Sequence, residues 1–73
     1  MLHLSDKWGP VLVSQPESGM GYWVTSVFLR DGSRIDNVTI VGGIVTEVNG
    51  KKEIPFTEDQ IVDIRVMNTP PRH

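Results

Sequence analysis

The stretch from Tyr22 to Val41 reads YWVTSVFLRDGSRIDNVTIV, and it decides the fold of this chain. Two runs rich in β-branched and aromatic residues flank Asp31-Gly32, a dipeptide typical of tight hairpins. The first run carries apolar side chains on both faces, which favours a strand that is buried on both sides or bent within a small barrel. We therefore predict two long antiparallel strands, over residues 22–30 and 34–41.

The second of these strands contains a break in its alternation. Ile35 and Val38 cannot share a face of a regular strand, because successive side chains point to opposite faces. One extra residue near Asp36-Asn37 would restore the alternation, and such a bulge bends a strand and increases its twist. We therefore expect a bulge at Asp36-Asn37.

Two more hairpin signals follow. Gly42-Gly43 and Asn49-Gly50 are both typical of two-residue turns, and the second is the strongest such signal in the chain. Strands are therefore expected over residues 44–48 and 51–56. Alternation predicts a shared face in each strand, formed by Ile44, Thr46 and Val48 in the first and by Ile54 and Phe56, pointing inward, in the second.

The rest of the chain should hold one turn, one strand and a tail. Residues 57–60 read TEDQ, which resembles a capping box, and the apolar pattern after it is too short for a full helix. We predict a 3₁₀ turn there, followed by a last strand over residues 61–66 with Ile64 and Val66 pointing inward. Residues 67–73 are expected to be a frayed tail.

Residues 1–21 are expected to be a loop-rich segment, because glycine and proline recur along them. The apolar run that follows Gly9-Pro10 predicts a short strand over residues 11–14, at a sheet edge. The predicted order is therefore a meander, which consists of a short strand, four strands joined by tight turns, and a last strand. A meander of this size closes most easily into a small barrel of about five strands, so we predict a single all-β domain over residues 1–73.

The composition excludes several classes of protein. The 73 residues include no cysteine, which removes disulfides, thiolate zinc sites and a cysteine nucleophile. Alanine is also absent, whereas valine, isoleucine and threonine together supply 21 residues, a balance that favours strands. No run approaches the ~20 apolar residues of a membrane span, and residues 1–7 do not resemble a secretory signal. We therefore expect a cytoplasmic protein with no membrane contact.

Residues 24–66 resemble SH3-like and Sm-like small barrels. The run VFLRDGSRI, residues 27–35, is similar to the first half of the Sm signature, in which a strand leads into a charged turn with glycine. The run IPFTEDQIVDI, residues 54–64, is similar to the end of the bacterial Sm-like RNA chaperone and of PRC-type barrels. The resemblance implies a five-stranded barrel with a 3₁₀ turn before its last strand. Its motifs are turn and core positions, which indicate a fold rather than a function.

Aromatic and basic side chains are the candidate binding residues. Trp23, Tyr22 and Trp8 are each either packed in the core or exposed as an anchor for a partner. Basic side chains at the hairpin turns are candidate contacts for a nucleic acid, and these are Arg30, Arg34, Lys51 and Lys52.

The sequence predicts no catalytic residue, no metal ligand and no cofactor. His3 and His73 lie at the ends of the chain, where a general base would have no fixed position. The carboxylates occur in or beside turns, and no serine or threonine has a plausible base beside it. An enzyme assembled from several barrels around a shared pore would rest on fold analogy alone.

These observations favour a non-catalytic binding or assembly module. We expect it to self-associate as a homo-oligomer through strand edges, at residues 11–13 or 61–66, or to dock a protein partner. The alternative is an Sm-like barrel that binds nucleic acid. The net charge of −2, from seven basic and nine acidic residues, disfavours that alternative.

Overall fold

The computed structural model describes residues 1–67, and within them five strands form one antiparallel sheet. The strand order is β1-β4-β3-β2-β5. A short helix, α1 (Gly9–Val13), and two 3₁₀ turns, Asp6–Trp8 and Glu58–Gln60, lie outside the sheet. The prediction of a mainly β chain is confirmed. The strands are β1 (Leu2–His3), β2 (Tyr22–Leu29), β3 (Arg34–Val41), β4 (Ile44–Val48) and β5 (Ile61–Val66).

The sheet curls into a half-barrel and does not close. The closed barrel expected from the sequence is therefore not supported, and the resemblance to SH3-like and Sm-like barrels stays a prediction. Residues 51–56 were expected to form the next strand of the meander, but they do not form a strand. The chain makes a single bridge there, between Val48 and Lys51, and then leaves the sheet. Pro55 has no N–H to donate to a strand partner, which fits this departure.

The bulge predicted at Asp36-Asn37 is confirmed. Thr25 pairs with Val38 and Val27 pairs with Ile35, so β3 has one more residue than β2 between these pairs. Asn37 lies in the left-handed region, with φ of 57°. Asparagine tolerates this backbone conformation better than most residues do, since its short side chain bonds locally.

A second bulge, in β4, was not predicted. Glu47 pairs with Thr39 and Val45 pairs with Ile40, so Thr46 is the extra residue. The extra residue reverses the alternation, and the buried side chains of β4 are Val45 and Val48. The shared face predicted for Ile44, Thr46 and Val48 is therefore wrong.

The segment predicted as an edge strand over residues 11–14 is instead the helix α1. Pro10 lies in its first turn, where a missing N–H costs no helical hydrogen bond. Trp8 and Leu12 are four residues apart and both buried, which is the spacing of one face of a helix. A short apolar run fits a strand and a buried helix equally well, so only packing distinguishes them.

The core lies on the concave side of the sheet, where α1 and the first 3₁₀ turn cover it. Phe56 is buried there although its segment is not a strand, and Ile54 packs against the same cluster. The buried apolar residues are Trp8, Leu12, Val27, Val38, Ile40, Val45, Val48, Phe56, Ile61 and Ile64.

The predictions for the end of the chain are confirmed as far as the structure describes it. The Gln60 side chain accepts a hydrogen bond from the Thr57 N–H at 2.9 Å, as in a capping box, and the 3₁₀ turn follows. β5 begins directly after this turn, with Ile61 and Ile64 buried and Val66 half-buried. Of the predicted tail, residues 68–73 lie outside the described residues.

Candidate functional site

Two of the predicted binding residues, Trp8 and Trp23, line one open cleft of about 320 Å³. It lies between the first 3₁₀ turn with α1 and the turn that joins β3 to β4. Trp23 reaches it from the inner face of β2, where it pairs with the fully buried Ile40. We call it the tryptophan cleft, and its wall also includes Leu4, Leu12, Val13, Gly42 and Gly43.

The two indole N–H groups at the tryptophan cleft differ in their partners. Trp23 Nε1 donates to the main-chain carbonyl of Gln15 at 3.2 Å. Trp8 is only 6% exposed, and its Nε1 is buried with no acceptor among residues 1–67. A buried donor without a partner costs about 1–3 kcal/mol. Trp8 therefore lines the cleft and carries an unused hydrogen-bond donor on its buried side.

Charge is confined to the rim of the tryptophan cleft. Among the described residues that line it, Asp6 is the only charged one. Lys7 lies beside the cleft with its Nζ 5.5 Å from the centre of the Trp8 ring, within range of a cation–π contact. The cleft is therefore an apolar hollow with one carboxylate at its edge.

Tyr22, the third predicted aromatic anchor, lies on the other face of the sheet. Successive residues of β2 point to opposite faces, so Tyr22 points away from the core while Trp23 points toward it. On the outer face, Tyr22 pairs with Val41, which pairs with Ile44, and Ile44 pairs with His3. The structure therefore separates Tyr22 from the two tryptophans.

The Tyr22 side chain is positioned by a glycine. A Cβ added to Gly19 would overlap the Tyr22 ring, so the ring lies against the Gly19 backbone. Tyr22 also borders a shallow groove of about 620 Å³, which ends at Met67. We call it the outer groove, and its other lining residues are Gln15, Pro16, Glu17, Ser18, Val24, Asn37 and Val66.

The two predicted arginines are engaged in contacts within the chain. Arg30 Nε donates to the main-chain carbonyl of Asp59 at 2.7 Å. Arg34 Nε lies 3.2 Å from Asp36 Oδ1, in an exposed ion pair. Both guanidinium groups therefore have partners before any phosphate approaches.

The two predicted lysines lie on a different part of the sheet from the arginines. Lys51 and Lys52 are exposed just after the Asn49-Gly50 turn. The Asn49 N–H donates to the Asn37 carbonyl at 2.9 Å, so this turn lies beside the middle of β3. Asn37 lies three residues after Arg34 in β3, which is roughly 10 Å along the strand. The basic side chains form two separate pairs rather than one patch.

Serine hydroxyl groups lower the pKa of two carboxylates. The pKa of Glu58 lies below its ordinary value of 4.5, because the Ser5 hydroxyl and then the Ser5 N–H donate to it. The Ser33 hydroxyl and N–H lower the pKa of Asp31 in the same way. A carboxylate with a lowered pKa is poorly matched to acid–base work near neutral pH, so both contacts are read as structural.

Sequence reasoning missed two residues that the structure makes prominent. Val13 is 75% exposed at the edge of the tryptophan cleft, and helical spacing from Trp8 and Leu12 would have placed it outside the core. Gln15 bonds the outer edge of β5 through its side chain. No sequence signal predicts that contact, since it joins residues about 50 positions apart.

No protein-family model, curated protein or solved structure matches this chain. Among residues 1–67, no three histidine, aspartate or glutamate side chains are close enough together to hold a metal ion. The same part of the chain has no helix that is both long and apolar enough to cross a membrane. The geometry of the surface is therefore what indicates a function.

Proposed function

We propose that this protein is a non-catalytic binding module that docks an apolar segment of another protein in the tryptophan cleft. The observation that carries the proposal is the convergence of Trp8 and Trp23 on one open hollow. Tryptophan is enriched among the few residues that supply most of the binding energy at protein interfaces. An apolar side chain entering the cleft would lose contact with water on several sides, which is favourable.

An exposed apolar side chain next to the cleft supports the proposal. Val13 projects from α1 at the edge of the cleft and is largely exposed. Leu12, its neighbour in the helix, is buried, so α1 presents one apolar side chain to the core and the next to solvent. A partner that enters the cleft would cover Val13 as well, which enlarges the apolar area buried on binding.

The carboxylate at the rim of the tryptophan cleft defines the chemistry of the proposed partner. Asp6 at the rim would pair with a basic residue of the partner. The expected ligand is therefore a peptide segment with an apolar residue next to a lysine or arginine.

The nucleic-acid alternative has less support from the geometry. Arg30 and Arg34 already have partners, and Lys51 and Lys52 lie apart from them. A nucleic acid is held chiefly by several phosphate contacts made together, which needs a continuous basic surface.

The test uses peptides selected from a random phage-displayed library against the whole chain. Each selected peptide is then titrated against the protein, with tryptophan fluorescence as the readout. We expect the selected sequences to share an apolar residue beside a basic one, and their binding to shift the tryptophan emission. Val13→Glu should weaken binding by about tenfold or more, because it places a charge against the apolar segment.

Two further variants make the test specific. Val62→Glu is the matched control, since Val62 is an exposed valine on β5, away from the cleft lining. Trp8→Phe keeps a large ring and removes the unpaired buried donor, so we expect the free protein to be about as stable as wild type. The smaller ring changes the wall of the cleft, so the peptide should bind less tightly. Equal affinity for the Val13→Glu and Val62→Glu variants, or a selection with no apolar consensus, would contradict the proposal.

A further inference from the structure

The outer edge of β5 is closed by a side chain where a neighbouring strand would otherwise lie. β5 is the last strand of the sheet, with β2 on its inner side. On its outer side, Gln15 Oε1 accepts a hydrogen bond from the Val66 N–H at 2.6 Å, and Gln15 Nε2 donates to the Ile64 carbonyl at 3.2 Å. A carboxamide offers the same donor and acceptor as a peptide group. Gln15 therefore takes the place of one peptide unit of an added strand.

A second side chain completes this closure. Asp63 Oδ1 accepts a hydrogen bond from the Ile64 N–H at 2.9 Å. Three main-chain groups at the centre of the outer edge are thus satisfied by side chains. An edge with such groups free is a template for pairing with another chain, and natural proteins block it by devices of this kind.

We propose that β5 is a self-pairing edge, that two copies of this chain join antiparallel through it when Gln15 is displaced, and that Gln15 keeps the native chain from doing so. The proposed partner is a second copy because of the charges on β5. The side chains of Asp63 and Arg65 both lie on the face of the sheet that points away from the core. They form an ion pair, with Arg65 Nε 2.8 Å from Asp63 Oδ2.

The charges also select one register for the pair. The main-chain groups of Ile64 and Val66 point away from β2, toward the free edge of the sheet. When two copies pair antiparallel along this edge, one residue of β5 lies opposite its own counterpart, and we call it the centre of the pair. The centre is residue 63, 64 or 65. A centre at 63 or 65 brings Asp63 against Asp63 or Arg65 against Arg65, and like charges directly opposite are destabilising. A centre at Ile64 places Asp63 of each copy opposite Arg65 of the other, which gives two ion pairs.

The test measures solution mass by light scattering after size-exclusion chromatography, over a range of protein concentrations. Wild-type protein is expected to stay at 8.2 kDa. Gln15→Ala and Gln15→Met should both move to twice that mass as concentration rises. The methionine variant keeps the volume of the side chain without its hydrogen bonds, so a folding defect in the alanine variant does not remove the test. Circular dichroism checks that each variant keeps its strands.

Charge variants then test the edge and the register. Adding Arg65→Asp to Gln15→Met should return the mass to 8.2 kDa, because aspartates then oppose each other. Adding Asp63→Arg as well restores opposite charges and should restore the double mass. The proposal fails if wild type already has the double mass, or if both folded Gln15 variants keep the single mass. It also fails if the charge variants do not change the mass of the Gln15→Met protein. None of these outcomes bears on peptide binding in the tryptophan cleft, so this inference fails separately.

Discussion

The Glu58 carboxylate accepts two hydrogen bonds from Ser5, one from its N–H and one from its hydroxyl, both at 2.5 Å. These bonds tie the start of the chain to the 3₁₀ turn before β5, across 53 positions of sequence. The Asp6–Trp8 turn follows Ser5 directly, so the same contact helps to place Trp8 in the core and at the cleft.

The contact between Ser5 and Glu58 predicts a dependence of stability on pH. The pKa of Glu58 is lowered in the folded chain, so its contribution is fully present above the ordinary value of 4.5 and is lost as the pH falls through the lowered folded-state pKa. Glu58→Gln should lower the urea midpoint at about pH 7, and the difference from wild type should shrink toward about pH 2 as wild type loses the charge too.

Glu53→Gln is the matched control for that series. Glu53 is exposed and accepts no hydrogen bond from residues 1–67, so its variant should follow the wild-type curve over the whole range. If Glu58→Gln lowers the midpoint by the same amount at both pH values, the effect comes from packing, and the hydrogen-bonded carboxylate is not its source.

A side chain at Gly19 is expected to displace the Tyr22 ring. A Cβ there would overlap the outer atoms of the Tyr22 ring, so Gly19→Ala should displace the ring. Because that side chain is 37% exposed, the free energy of unfolding should fall by no more than about 1 kcal/mol. Gly19→Ala in a Tyr22→Ala background is the comparison, because the added Cβ then meets no ring and its effect should shrink. Urea unfolding measures both, and two equal effects would show that Tyr22 does not rest on Gly19.

Adjacent residues of α1 are expected to respond differently to truncation. Leu12 is 3% exposed, so Leu12→Ala should lower the free energy of unfolding by about 2–5 kcal/mol. Val13→Ala removes an exposed side chain and should change it by no more than about 0.5 kcal/mol. Urea denaturation measures both variants. A mild effect of Leu12→Ala would mean that α1 does not cover the core.

Binding to nucleic acid is expected to be weak. A labelled uridine-rich oligonucleotide at low salt should give little change in fluorescence anisotropy, because the basic side chains are divided between two places. Saturable binding that weakens steeply with salt, and that is lost in the Lys51→Glu, Lys52→Glu double variant, would favour the nucleic-acid alternative over protein docking.

Local patterns predicted much of the sheet. The run from Tyr22 to Val41 gave both long strands, and Ile35 and Val38 revealed the bulge, since each signal lies within a few residues of its effect. The bulge at Thr46 was missed because threonine fits either face of a strand, so the apolar pattern did not register the extra residue. Both tryptophans were named as candidates, but their convergence on one cleft depends on contacts between distant segments.

The sequence by itself determined the strands β2 to β5, the tight turns between β2, β3 and β4, and the mainly β character of the chain, because strand propensity, alternation and turn chemistry act over short distances. Only the tertiary structure decided that the sheet stays open, that residues 9–13 form a helix over its concave side, and that Gln15 closes the edge of β5. Those features depend on which apolar surface remains to be covered and which main-chain groups remain unpaired once the strands have met.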